Sequence, residues 1–172
     1  TGPQSVTVTP SGKFIYVANF TSSDISVYSV HPASGVLTQV DCGGGVGCNG
    51  ANFPAGSNPQ SVTVDPSGQF AYAANINSGD ISAYTINTST GALTSVGAGV
   101  ATGTNPVSVA VDPSGRFVYA ANSGSFNVSA YTINTSTGAL TSIGGVTAGF
   151  GPRSVTVDPS GKFAYVASNL SN

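Results

Sequence analysis

PQSVTVDPSGQFAYAAN, residues 59–75, is written four times along this chain with small changes: PQSVTVTPSGKFIYVAN from Pro3, PVSVAVDPSGRFVYAAN from Pro106 and PRSVTVDPSGKFAYVAS from Pro152. The starts are 56, 47 and 46 residues apart. A period of that length marks small modules that bury their apolar faces on one another. Within a unit the apolar residues alternate between turn clusters, the signature of half-buried strands rather than helices. In the second unit the spacing predicts strands over Ser61–Val64, Phe70–Ala74, Asp80–Ile86 and Ala92–Val96. Between them, Asp65-Pro-Ser-Gly68 and Asn87-Thr-Ser-Thr-Gly91 supply turns, with proline fixing φ and glycine taking the left-handed conformation.

Four antiparallel strands per tandem unit predict an all-β fold of β-propeller blades, with a β-solenoid as the alternative. The units run 3–58, 59–105, 106–151 and 152–172, the last carrying only its first two strands. A closed ring needs about four to eight blades, so about three and a half units predict a ring that one chain does not close. Tyr16-Val-Ala-Asn19, Tyr72-Ala-Ala-Asn75 and Tyr119-Ala-Ala-Asn122 each follow a Pro-Ser-Gly turn and precede an Ile-Ser-x-Tyr-type strand. In this they resemble the YVTN/lactonase-like β-propeller repeats, over nearly the whole chain. The resemblance implies a propeller whose relatives range from sugar-lactone hydrolases to surface-layer and other extracellular proteins.

The 172 residues are 40% hydrophobic and only 6% charged, with no glutamate and a formal net charge of −2. Such a chain has no electrostatic attraction for nucleic acid or an anionic membrane. It also lacks an apolar run long enough to span a bilayer, and it reads as a mature segment whose secretion signal, where there is one, is removed or lies outside these residues. Cys42 and Cys48 flank Gly-Gly-Gly-Val-Gly within a glycine-rich insert over 41–56. Their spacing predicts a loop disulfide contributing roughly 2–3 kcal/mol and an oxidising, extracellular compartment. The competing reading is a metal site with His31 and Asp41, although two thiols without a second pair match ligand spacing poorly. Asn-x-Ser/Thr triplets at Asn19, Asn87, Asn127, Asn134 and Asn169 are candidate glycosylation sites. Chance generates the same triplets in a chain this rich in Asn, Ser and Thr.

Few ionisable residues remain once the repeat is subtracted. Asp65, Asp112 and Asp158 share a turn position, with Thr9 in their place in the first unit, and read as turn formers. Asp24 and Asp80 share the start of the third strand with Asn127, and Lys13, Arg116 and Lys162 follow the turn glycine; these positions read as solvated. His31, Asp41 and Arg153 are left over and form no evident catalytic set. His31 occupies a hairpin position that asparagine fills elsewhere. No cofactor or metal is expected.

The repeated Phe14, Phe70, Phe117 and Phe163, with Tyr16, Tyr72, Tyr119 and Tyr165, read as packing between blades, though a ring of tyrosines is also a sugar platform. Phe20, Phe53, Phe126 and Phe150 fall outside the pattern and are candidates for contacts with another molecule. The strand Phe163, Ala164, Tyr165, Val166 and Ala167 would leave an unpaired edge. Residues 85–95 and 132–142 are identical, and sparse charge leaves copies of the chain free to associate. The expectation is therefore a non-enzymatic secreted structural protein whose partner is itself, assembled head-to-tail into a filament, tube or surface layer. A glycan-binding or adhesive propeller is the second reading, and a lactone hydrolase the third.

Overall fold

The computed structural model describes residues 2–43 and 52–169. Every element in them is a strand or a turn. β1 (Pro3–Val8), β2 (Phe14–Asn19), β3 (Asp24–Val30) and β4 (Leu37–Val40) form the first antiparallel sheet, and β5 (Phe53–Pro54) adds to β3 alongside β4. β6 (Pro59–Val64), β7 (Phe70–Asn75), β8 (Asp80–Ile86), β9 (Leu93–Ser95) and β10 (Val100–Ala101) form the second, with β9 and β10 sharing the outer edge of β8. In the third, β11 (Pro106–Val111), β12 (Phe117–Asn122), β13 (Asn127–Ile133) and β14 (Leu140–Thr147), the outer strand is continuous. β15 (Pro152–Val157) and β16 (Ala164–Ser168) make a two-stranded fourth sheet.

The first strands of successive sheets pack on one another, β1 on β6, β6 on β11 and β11 on β15. These strands form a hub and the fourth strands a rim, as propeller blades do. The expected blade fold is therefore present. The expected 41–56 insert is less uniform than its composition suggests, since Phe53 and Pro54 are strand.

Each blade docks on the next through a recurring set of contacts. Phe14 lies on the turn glycine Gly91 of the second blade, where an added Cβ would meet the ring at 2.4 Å; Phe70 lies on Gly138 in the same way. Beside them Tyr16 donates from its hydroxyl to the Gly91 carbonyl (3.0 Å), and Tyr72 donates to Gly138 (3.0 Å). Burial pushes the phenols of Tyr16 and Tyr72 above their ordinary range, with the Asp65 charge adding to the effect on Tyr72, so these hydroxyls remain donors. At the hub, Ser5, Ser61 and Ser108 accept from the backbone N–H of Val62, Val109 and Val155 (3.2 Å each). Exposure follows position in the array. Phe14 is 6% exposed and its equivalent Phe163 61%, while Leu93 is 7% exposed and its equivalent Leu37 49%. Burying one such side chain stabilises by roughly 1.5–3 kcal/mol, so the same residue contributes at a junction and not on an open face.

The aspartate turns behave as the sequence suggests. Asp112 Oδ1 accepts from the N–H groups of Arg116 and Phe117 (2.8 Å each), while Oδ2 accepts from the Ser114 N–H (3.1 Å) and hydroxyl. Asp65 and Asp158 repeat the pattern, and Thr9 keeps a weaker version through Phe14 N–H (3.2 Å). Burial works against the charge on Asp112, but these four hydrogen bonds outweigh it and hold its carboxyl below the ordinary carboxylate range.

Gly91 (φ 79°) and its first-blade equivalent Gly35 (φ 69°) have the same backbone conformation, but an added Cβ at Gly35 meets nothing within 4 Å. Gly35→Ala should cost only the left-handed penalty of about 1–2 kcal/mol. Gly91→Ala should cost about 1–3 kcal/mol more through overpacking against Phe14, a difference that denaturant melts of the two variants would read directly. A second outcome concerns pH. Because the Asp112 carboxyl titrates lower in the folded chain than in the unfolded one, its contribution is present above the unfolded value and disappears as pH falls through the folded one. Asp112→Asn should therefore be less stable than the parent at neutral pH, with the gap narrowing below about pH 4; a constant gap across that range would show that the charge is not what the turn uses.

Candidate functional site

All the turns joining second to third strands, and all the segments leading from one blade to the next, lie at one end of the hub. Two features are built there. The first is a bulge in each hub strand: the pairing of β1 with β2 slips between Pro3 and Ser5, and the same slip recurs at Pro59/Ser61, Pro106/Ser108 and Pro152/Ser154. A bulge re-aims the extra residue away from the ladder. The residues so placed are Gln4, Gln60, Val107 and Arg153. Gln60 Nε2 reaches Gln4 Oε1 at 3.5 Å, so the bulged positions of adjacent blades are neighbours, and Arg153 is exposed. Carboxamides and a guanidinium at a hub mouth can donate to hydroxyl, carbonyl and anionic oxygens.

The second feature is a buried polar bracket beneath each turn. Asn19 Nδ2 donates to Asp24 Oδ1 (2.8 Å) and Ser26 Oγ (2.7 Å). Asn75 does the same to Asp80 and Ser82, and Asn122 to Asn127 and Ser129, at 2.7–2.9 Å. Gly56 and Gly103, on the entering segments, press against these amides so closely that an added Cβ would lie 2.6 Å from Asn75 Nδ2 or 2.8 Å from Asn122 Nδ2. Among the described residues, Asp24 Oδ2, Asn75 Oδ1 and Asn122 Oδ1 are buried without a partner. Beside the second bracket lies a crevice of about 220 Å³ lined by Gly56, Asp80, Ser82, Tyr84 and Gly99.

The brackets correct the reading of Asp24 as solvated: it is 1% exposed, and Asp80 is half-buried. Asn19 is corrected as well. It is buried with both amide protons engaged, which leaves no room at that nitrogen for a sugar. Asn87 and Asn134 are exposed hairpin residues whose side-chain oxygens cap their own turns. Asn127 is half-buried in its bracket, and Asn169 is exposed while the rest of its triplet lies outside the described residues. The brackets were missed because their members lie five and seven residues apart across a turn, although their recurrence in three units was visible.

The leftover ionisable residues stay apart. His31 is exposed, with Nδ1 3.0 Å from the Ser34 hydroxyl in its own turn, and Asp41 accepts from Gly43 N–H (3.0 Å). Among the described residues no three His, Cys, Asp or Glu side chains are grouped as metal ligands. Cys42 is disulfide-bonded and packs against the first core cluster; Cys48 lies outside the described residues. No helix in the described residues is long and apolar enough to cross a membrane. Of the expected edge strand, Ala164, Tyr165, Val166 and Ala167 lie in β16, paired on one side to β15, with Phe163 just ahead of it; all are exposed except the half-buried Val166.

Residues 1–145 match the family described as "Lactonase, 7-bladed beta-propeller". Over 89 residues the chain is 28% identical to the 6-phosphogluconolactonase of Serratia proteamaculans, an alignment covering 52% of this chain and 24% of that protein. Its fold is similar to that of a candidate 6-phosphogluconolactonase from Bacteroides uniformis (TM-score 0.82, 23% identity, 96% of this chain and 47% of that one). It is also similar to the periplasmic gluconolactonase of Pseudomonas aeruginosa (TM-score 0.75, 18% identity, 96% and 42%). At these identities the two structures speak to the fold alone. The chain thus spans about a quarter of the curated relative and about half of the solved structures.

These relatives overturn the expectation of a non-enzymatic, self-assembling structural protein, because those with an assigned activity are hydrolases. The edge that suggested a filament has another physical account: Phe163 occupies a position that is buried between blades elsewhere in the same chain, and Leu37 on the opposite open face does the same. They are blade-packing surfaces and carry no specification of a fibre.

The bracket amides hold the turns over the hub. Asn75→Ala removes two buried hydrogen bonds, leaving Ser82 Oγ with the Gly56 N–H and Asp80 Oδ1 with the Ser78 hydroxyl, and should cost about 1–3 kcal/mol, against less than about 0.5 kcal/mol for Ser89→Ala on the exposed hairpin, as measured by urea denaturation.

Proposed function

Because this chain belongs to the seven-bladed β-propeller lactonase family, we propose that it contributes its blades to a lactone hydrolase acting on sugar lactones. The observation that carries the reading is the family match across residues 1–145, which holds the first three units of the repeat and the three bulged hub strands that carry Gln4, Gln60 and Val107. The reaction adds water to the ester carbonyl and breaks the acyl C–O bond, so that a cyclic ester and water give an open-chain hydroxy acid. It needs donors for the carbonyl oxygen as charge develops on it. Gln4 and Gln60 are donors at the mouth of the hub, and each belongs to a strand pinned to its neighbour by the serine contacts. In the same reading, further blades of the ring cover the open faces that expose Leu37 and Phe163. The disulfide at Cys42 supports an oxidising compartment, which a Cys42–Cys48-linked peptide from unreduced natural material would verify.

Hydrolysis of 6-phosphogluconolactone and of gluconolactone, followed in a pH-stat, tests the activity. The protein should accelerate acid release well beyond the spontaneous rate for at least one of them. Release at the spontaneous rate for both would remove the lactonase reading.

A further inference from the structure

The repeat supplies its own controls, because each position can be compared across blades, and three departures from it fall at one junction. Phe126 closes the β12–β13 turn, where the earlier blades have Ser23 and Gly79. Phe150 lies on the segment entering the fourth blade, where they have Ser57 and Thr104. Arg153 is the bulged hub residue, where they have Gln4, Gln60 and Val107. The two segments are tied together by the Ala148 N–H donating to the Phe126 carbonyl (2.9 Å).

Neither phenylalanine is where stability would put it. Phe126 has φ 56°, in the left-handed region that Gly79 occupies at 67°, and a bulky side chain pays about 1–2 kcal/mol there that glycine does not. Burial offsets this only in part, since Phe126 is still 39% exposed and Phe150 61%. Their rings meet edge to face, centroids 5.2 Å apart at 70°, which leaves aromatic face open to solvent. A strained backbone and exposed apolar surface at the same spot mark a site selected for contact rather than for folding. Three residues beyond Phe150, Arg153 offers a guanidinium that fits carboxylate or phosphate oxygens in a two-pronged geometry.

We propose that Phe126, Phe150 and Arg153 form a subsite for an anionic monosaccharide, with the C–H face of the sugar against the phenylalanine rings and its carboxylate or phosphate on Arg153. The proposal rests on the lactonase reading for the identity of its ligand, and it names the residues of this chain that hold it.

The repeat also provides conservative variants, Phe126→Gly, Phe150→Thr and Arg153→Gln, each using the residue of another blade. Calorimetric titration with 6-phosphogluconate, gluconate, glucose 6-phosphate and glucose separates the carboxylate, the phosphate and the ring. The parent protein should bind at least one of the three anions more tightly than glucose, and the preferred anion identifies the group that Arg153 takes. The double phenylalanine variant should lose about tenfold in affinity, and Arg153→Gln about tenfold or more for the anions with glucose unchanged. Phe126→Gly should melt no lower than the parent. Equal affinities in parent and variants, or a Phe126→Gly protein that melts clearly lower, would overturn the subsite. If the parent binds through these residues but opens no lactone, the subsite stands and the lactonase reading falls. If the parent opens lactone and the double variant keeps its kcat/KM, the reading stands and the subsite falls.

Discussion

Everything else in this structure depends on one contact, the aromatic ring of one blade seated on the turn glycine of the next. Phe14 on Gly91 and Phe70 on Gly138 leave no space for a Cβ, and the adjacent Tyr16 and Tyr72 hydroxyls tie the same glycine carbonyls. A single antiparallel sheet of three or four short strands has too little buried surface to be stable alone. Stacking supplies the missing burial, and it needs an aromatic on the leading face, a glycine on the trailing one and a fixed distance between them. The repeat length is therefore a packing constraint. What varies is the rim: the outer edge is divided between β4 and β5 in the first blade and between β9 and β10 in the second, and is continuous as β14 in the third. These changes lie away from the hub and leave the ring-on-glycine contact intact.

The constraint explains why so much of the fold was legible. Residues that pack between blades recur in every unit, so Phe14, Tyr16 and their equivalents announce themselves by period alone, and Asp65, Asp112 and Asp158 by the Pro-Ser-Gly that follows. The polar brackets were harder to see. Asp24 looks solvated in sequence because it is charged and adjoins a turn, yet the entering segment folds over it, and Pro54 pairs directly opposite in the ladder. Asn19 reads as a sequon because a triplet carries no information about burial. The covering contacts come from a segment far along the chain, Asn52 accepting from Ser26 in the first bracket as Gly56 donates to Ser82 in the second, each across 26 residues, and local spacing does not encode them.

The misjudged function has a related cause. The unpaired edge at Phe163–Ala167 was assigned to assembly because the chain was treated as a finished surface, whereas exposure in a repeat array depends on neighbours. Leu37 and Leu93 are chemically identical and differ only in whether a blade lies against them. Surface character at the open faces is thus a property of position in the array and carries no information about partners. The same logic removes most of the polar residues from consideration, since the turn aspartates, the bracket asparagines and the hub serines are all engaged in holding blades.

What remains to carry function in such a protein is what breaks the repeat without serving the packing. A substitution that improves a junction is retained for stability, and one on the rim is close to neutral. A residue that costs backbone strain, stays exposed and lies at the hub end is neither. Phe126 meets all three conditions where Gly79 shows that a residue without the left-handed penalty fits; Ser23 shares the positive φ (56°) but exposes no aromatic surface. Phe150 and Arg153 depart from the repeat three positions apart in the chain, on a segment hydrogen-bonded to the Phe126 turn. Departures at the other junctions are covered: Phe53 and Val107 are buried and Phe20 is half-buried. The exposed ones gather at one junction, as a ligand approaching the ring from one side would select, and they make the blades unequal in chemistry while the aromatic-on-glycine contact keeps them equal in structure.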